Sequence, residues 1–190
     1  EKSVFIDGDY AIIGARANDD AGNGSGSAYI FIRSGTSWSQ QAKLTASDAA
    51  AEDYFGNSVS IDGDYAIVTA YEDNDGGTNS GSAYIFIRSG TSWSQQVKLT
   101  ASDAYTYDGF GNTASISGEY AVVGAFGNDD DGNDSGSAYI FKRSGTSWSE
   151  QAKLTASDAS EEDRFGESVA ISGDYIIAAA AYDDDDGGST

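Results

Sequence analysis

The 190-residue chain has no cysteine, histidine, methionine or proline. Without cysteine or histidine there is no disulfide, no thiolate or imidazole metal site, and no Ser-His-Asp triad. The lack of cysteine leaves the redox compartment undetermined. Basic residues are scarce: 10 Lys and Arg face 31 Asp and Glu, a formal charge of −21. Phosphate backbones need clustered basic side chains, so nucleic acid is not an expected partner, and an anionic membrane surface would repel the chain. No apolar run approaches the ~20 residues of a membrane-crossing helix, so no membrane insertion is expected. No signal-peptide pattern opens the chain. A start at Glu1-Lys2-Ser3 without any methionine is read as processed, excised or incompletely recorded. No segment carries helical periodicity of useful length.

A repeat dominates what is present. Gly26-Ser27-Ala28-Tyr29-Ile30-Phe31 returns at Gly81 to Phe86 and at Gly136 to Phe141. Phe55-Gly56, Phe110-Gly111 and Phe165-Gly166 keep the same step of 55 residues, as do Trp38, Trp93 and Trp148. Ser25 to Asp48 differs from Ser80 to Asp103 only at Ala42/Val97, and from Ser135 to Asp158 only at Ile32/Lys142 and Gln40/Glu150. A fixed period of this size marks stacked structural units. The expected units are 1–54, 55–109, 110–164 and a partial 165–190, together one segment spanning 1–190.

Each unit is predicted to hold four strands. In the second, Asn57 to Ile61 alternates polar and apolar residues, and Asp62-Gly63 is a two-residue hairpin signal. Tyr65 to Ala70 is a mostly apolar run suited to a strand covered on both faces. An acidic, glycine-rich loop covers Tyr71 to Gly81. Ala83 to Arg88 and Trp93 to Leu99 form the third and fourth strands, joined by Ser89-Gly90-Thr91. A second long loop, Thr100 to Gly109, leads to the next Phe-Gly. Four antiparallel strands per unit and no helix predict an all-β protein, a β-propeller segment of three blades and a half blade; a β-solenoid is the second choice. Ser58, Ser60, Thr113, Ser115 and Ser168 suit a narrow inner strand, and the tryptophans fall on the outermost one.

The recurring Phe-Gly pairs, each followed by an apolar strand and then Gly14-Ala15-Arg16 or Gly124-Ala125-Phe126, resemble FG-GAP repeats. Those are the blades of the integrin α-chain N-terminal propeller and of many bacterial surface proteins. The resemblance covers the whole chain and implies the propeller fold and an extracellular or cell-surface location. The proline of the motif is replaced by Arg16, Tyr71, Phe126 and Ala181. The family's calcium loop lies between the first and second strands, where this chain has only turns of the Asp62-Gly63 type, so that site does not carry over.

Strand direction puts both long loops on one rim and both short turns on the other. Binding residues concentrate on loops held by a rigid scaffold, which makes Asp73, Asn74, Asp75, Asp129, Asp130, Asp131 and Asp134 the candidate binding rim. Integrin-like propellers use the equivalent rim. Within it the columns Asn18/Asp73/Asn128/Asp183, Asp20/Asp75/Asp130/Asp185 and Gly22/Gly77/Gly132/Gly187 alternate oxygen donors before a glycine. That pattern suits Ca²⁺, and equally an Asx-rich turn bonding its own backbone. Asp48, Asp103 and Asp158, with Asp53, Asp108 and Asp163 five residues later, are expected to satisfy backbone N–H groups beside the Phe-Gly turns.

No enzyme activity is expected, because near-identical blades multiply every carboxylate whereas an active site needs one asymmetric constellation. Two functions remain open. One is an adhesion or binding module whose acidic rim holds a protein or glycan partner. The other is a structural element that associates with further copies of itself. Strand counting predicts that the chain does not close a ring alone.

Overall fold

The computed structural model describes residues 3–184; Asp185 and Gly187 lie outside them. Regular structure there is entirely β. Blade one comprises β1 (Val4–Asp7), β2 (Tyr10–Ala15), β3 (Ser27–Ser34) and β4 (Ser37–Leu44). Blade two comprises β5 (Val59–Asp62), β6 (Tyr65–Ala70), β7 (Ser82–Ser89) and β8 (Ser92–Leu99). Blade three comprises β9 (Ala114–Ser117), β10 (Tyr120–Ala125), β11 (Ser137–Ser144) and β12 (Ser147–Leu154). A half blade of β13 (Phe165–Ser172) and β14 (Tyr175–Ala180) follows. Every sheet is an antiparallel meander in chain order, and the first strands lie side by side in the order β1, β5, β9, β13. This is a β-propeller segment of three blades and a half.

The strand predicted from Asn57 starts two residues later, at Val59. The Phe-Gly turn still holds Asn57, whose N–H reaches both Tyr54 O (3.1 Å) and Thr69 O (3.3 Å).

The core lies between blades, which explains the run at Tyr65–Ala70. Ala66, Val68 and Ala70 turn one way, into a cluster with Ile12, Ile30 and Phe55, while Ile67 turns the other way, toward Phe110 and Ala121. Alternation with period two therefore serves two apolar interfaces. Phe55 is the wedge of the first, edge-on to Tyr84 (5.4 Å) and Phe86 (6.0 Å). Phe110 repeats this with Tyr139 (5.5 Å) and Phe141 (5.9 Å). Gly56, which follows Phe55, has φ +94°, and a Cβ there would collide with the Ser27 carbonyl oxygen of blade one, so only glycine fits.

The serines in and just before the first strands have a specific task. An innermost strand has a free edge whose N–H groups need acceptors. Ser3, Ser58, Ser60 and Ser115 hydroxyls accept from the N–H of Val59 (3.0 Å), Ala114 (3.0 Å), Ile116 (3.3 Å) and Ile171 (3.3 Å), each in the following blade. At the outer edge, the indoles of Trp93 and Trp148 donate to Gln41 (2.9 Å) and Gln96 (3.0 Å) of the preceding blade.

Candidate functional site

The two rims are built differently. On the short-turn rim, Asp7 accepts from Gly63 N–H (2.9 Å), Asp62 from Gly118 N–H (2.5 Å) and Ser117 from Gly173 N–H (3.3 Å). Those turn residues stitch blades together. On the other rim the two long loops meet: the N–H groups of Glu52, Tyr107 and Glu162 each donate at 2.8 Å to Asn23, Thr78 and Asn133 carbonyls.

The loops between second and third strands are Asx turns. Asn18, Asp73 and Asn128 accept from the N–H of Asp20 (3.0 Å), Asp75 (3.1 Å) and Asp130 (3.4 Å). Asp19, Asn74 and Asp129 accept from Gly24, Asn79 and Asp134 N–H, all at 2.8 Å. Asp131 is exposed and donates its N–H to the Ser135 hydroxyl (3.3 Å). Asp183 follows β14 at the surface.

The expected cation donors converge on lysines. The Lys98 ammonium of β8 contacts Asp48 (2.8 Å), Asp73 (2.9 Å) and Asp75 (2.5 Å). The Tyr84 hydroxyl lies 3.0 Å from both Asp48 and Asp73. Lys153 of β12 repeats this with Asp103 (2.7 Å), Asn128 Oδ1 (3.1 Å) and Asp130, and Lys43 of β4 pairs with Asp20. Burial works to raise the carboxyls of Asp48 and Asp103, but the bonds and charge of their lysines outweigh it and hold both below the ordinary value. Burial likewise opposes the ammonium charges, yet the carboxylates keep Lys98 and Lys153 above theirs. Burial, with the adjoining carboxylates, also pushes the Tyr84 and Tyr139 hydroxyls well up, so both stay protonated donors.

This arrangement tests the fit of Ca²⁺. Ligand oxygens of Asp48, Asp73 and Asp75 come within 4.8 Å of one another, but the cation among them is Lys98. Ca²⁺ takes about 6 to 8 oxygens and would have to expel the lysine, so the donor set as folded fits an ammonium. Asp48 and Asp103 thus leave the role expected for them beside the Phe-Gly turns. Their neighbours keep it: Asp53, Asp108 and Asp163 accept from the N–H of Ala50 (2.6 Å), Tyr105 (2.8 Å) and Ser160 (2.6 Å). Burial pushes the Asp108 carboxyl up to about 6, against the bonds from Tyr105 and Asn128.

Residues 2–31, 38–86, 93–141 and 148–190 match the family model described as FG-GAP repeat. The chain belongs to the FG-GAP repeat family. No curated protein matches it.

Three departures from the FG-GAP motif lie in the grooves between blades on the long-loop rim. Arg16, Tyr71 and Phe126 stand where the motif has proline, and each faces the residue before the next Phe-Gly. That residue is left-handed in all three cases: Tyr54 (φ 53°), Gly109 (φ 61°) and Arg164 (φ 55°). Left-handed backbone costs an L-residue roughly 1–2 kcal/mol, so Tyr54 and Arg164 are held there by their contacts. Tyr54 lies 6.1 Å from Tyr71 with the Arg16 guanidinium 6.0 Å over its ring. Arg164 lies 5.7 Å over Phe126 and 4.8 Å over Tyr182, and 3.7 Å from Asp134. The groove between blades two and three has no such filler. The sequence signal for Tyr54, Gly109 and Arg164 is the difference between repeats in the columns of positions 52, 54, 71 and 79, which the acidic columns do not carry.

A cavity of about 470 Å³ lies between the first strands, lined by Ser3, Asn57, Asn112 and Glu167. Asn57 and Asn112 side chains donate to the Asn112 (2.9 Å) and Glu167 (3.0 Å) carbonyls there.

Proposed function

We propose that this FG-GAP chain is a non-catalytic, extracellular or cell-surface binding module that meets a protein or glycan ligand through its long-loop rim. One observation carries the proposal: variation between otherwise near-identical blades is concentrated on that rim, around the blade grooves, while the other rim is stitched shut by Asp7, Asp62 and Ser117. The lysine-held loops supply a preorganised frame, which lowers the cost of binding. The cysteine-free chain permits a direct test. Beads carrying the protein through Ser144→Cys show the long-loop rim outward, and beads carrying it through Asp131→Cys hide it. Binding to an array of glycans and matrix proteins is expected only in the first orientation. Equal binding in both would overturn the assignment.

A second reading, association with further blades of the same kind, rests on the contact that repeats between blades. Trp93 and Trp148 are seated on the preceding blade, whereas the equivalent Trp38 of β4 is 43% exposed, and Val4 (58%) and Ile6 (62%) of β1, at the other edge of the same sheet, are exposed too. An apolar sheet face of that kind suits another blade. Light scattering on the chain at micromolar concentration is expected to show association, and a monodisperse monomer would count against it.

A further inference from the structure

Three columns make the groove between blades two and three unlike its neighbours. Before the Phe-Gly, Gly109 replaces Tyr54 and Arg164. At the next left-handed position, Tyr107 (φ 71°) replaces Glu52 and Glu162 (φ 70° and 69°). In the facing loop Asn79 replaces Gly24 and Asp134. These changes are matched in pairs. The Tyr54 ring fills the space over Gly24, where a Cβ would lie 2.9 Å from its Cε1, and Arg164 pairs with Asp134. Gly109 puts nothing over Asn79. A Cβ at Gly109 would already lie 3.1 Å from the Phe126 ring, so a larger side chain there would press on or fill the groove.

What remains is a cavity of about 250 Å³ lined by the rings of Tyr71, Tyr107 and Phe126 and by the polar side chains of Glu72, Asn79 and Asp134. That is below the ~300–1,000 Å³ of sites for drug-sized ligands, so the space suits one ring. The acids there are engaged as acceptors: Asp134 is paired with Arg164, and the Tyr71 hydroxyl, pushed up to about 12 by burial and its bond to Glu72, donates to Glu72. A second guanidinium would sit beside the like charge of Arg164, with Glu72 alone to balance it. An anionic ligand would enter against a net charge of −21. A neutral ring with one C–H face and a rim of hydroxyls meets neither obstacle: its face lies on the aromatic walls and its hydroxyls donate to Glu72, Asn79 and Asp134.

We infer that this groove is a binding subsite for a single neutral pyranose ring, the residue by which the long-loop rim would engage a glycan; it rests on the binding function proposed above. Saturation-transfer NMR on the intact chain tests it with methyl glucoside, methyl galactoside, methyl mannoside and N-acetylglucosamine at millimolar concentration. Galacturonate and argininamide serve as the charged arms. At least one neutral sugar is expected to receive saturation. Gly109→Tyr, which supplies the filler that Tyr54 provides in the first groove, is expected to abolish the transfer. Tyr107→Ala, an exposed position whose loss leaves the fold intact, is expected to weaken binding about tenfold. No transfer to any neutral sugar, transfer undiminished in both variants, or preference for argininamide would each overturn the inference. Rim-dependent binding of the oriented beads alongside silent sugars would sink only this subsite and leave the wider function standing.

Discussion

Lys98 and Lys153 sit at equivalent points of blades two and three, and their surroundings differ at one buried position. Asp73, 4% exposed, is an acid, whereas Asn128, 3% exposed, is an amide. Around Lys98 one ammonium and one tyrosine hydroxyl serve three carboxylates. Around Lys153 the ammonium meets two carboxylates and an amide oxygen, and the Asn128 amide reaches the Tyr139 hydroxyl (3.4 Å), which donates to Asp103 (2.7 Å). The same backbone turn thus accommodates two charge states. In both, the cation that meets the acidic oxygens is a lysine ammonium.

The largest effect is expected from removing the cation. Lys98→Met leaves three converging acids unbalanced and should cost about 2–3 kcal/mol, discounted for the exposure of Asp48 and Asp75, or roughly 5–10 °C in melting temperature. Lys153→Met, with one acid fewer, should cost about half as much. Equal losses in thermal melts would erase the distinction between the two clusters.

Calcium sharpens the same contrast. Millimolar Ca²⁺ should leave the melting temperature of the unaltered chain within about 1 °C and raise it in Lys98→Met, where the three acids are vacated, through ligand linkage. Lys153→Met should respond less. A clear rise in the unaltered chain would show that Ca²⁺ displaces the lysine.

Acid titration separates two kinds of carboxylate. Asp48 and Asp103 are depressed in the fold, so their contribution is present above pH 3.8, the unfolded value, and is lost as pH falls through their lower folded values. Asp108 is raised to about 6. The folded state then binds the proton first, and stability increases as pH falls from about 6 toward 4. Melting temperature should therefore peak in mild acid, and Asp108→Asn should flatten the rise between pH 7 and 5 while leaving the loss at lower pH. A monotonic fall from neutral pH would contradict this assignment.

The smallest effect is expected from Asp73→Asn, which copies blade three into blade two. Its Oδ1 can still accept from Asp75 N–H and the Ser82 hydroxyl, so stability should change by no more than about 1 kcal/mol. In that background Lys98→Met should lose less than it does alone, a coupling that a double-mutant cycle measures.

The chain's regular parts were legible beforehand because repetition made them so. The recurring Phe55-Gly56 pair marks the unit, and the Tyr65–Ala70 run announces a strand covered on both faces, from residue type and spacing; the wedge and the close approach at that pair came from the packing. The acidic columns were legible only as oxygen donors, since local pattern cannot show which cation arrives from 25 or 50 residues away. Lys98, read simply as part of the fourth strand, is 25 residues from Asp73 and 50 from Asp48. The groove at Gly109 was missed for a related reason. Its signal is an absence, a glycine in a column that otherwise holds Tyr54 and Arg164, and an absence has meaning only beside the walls that surround it.

Residue order alone determined the 55-residue unit, the four antiparallel strands in each full blade and the rim that carries the long loops. Those follow from short-range chemistry: alternating apolar side chains, glycine turns and β-branched strands. Tertiary structure decided how the charges are neutralised and where a cavity is left open. Both depend on side chains far apart in sequence: Lys98 meets Asp73 of its own blade and Asp48 of the connection from the blade before, and the groove is walled from two blades.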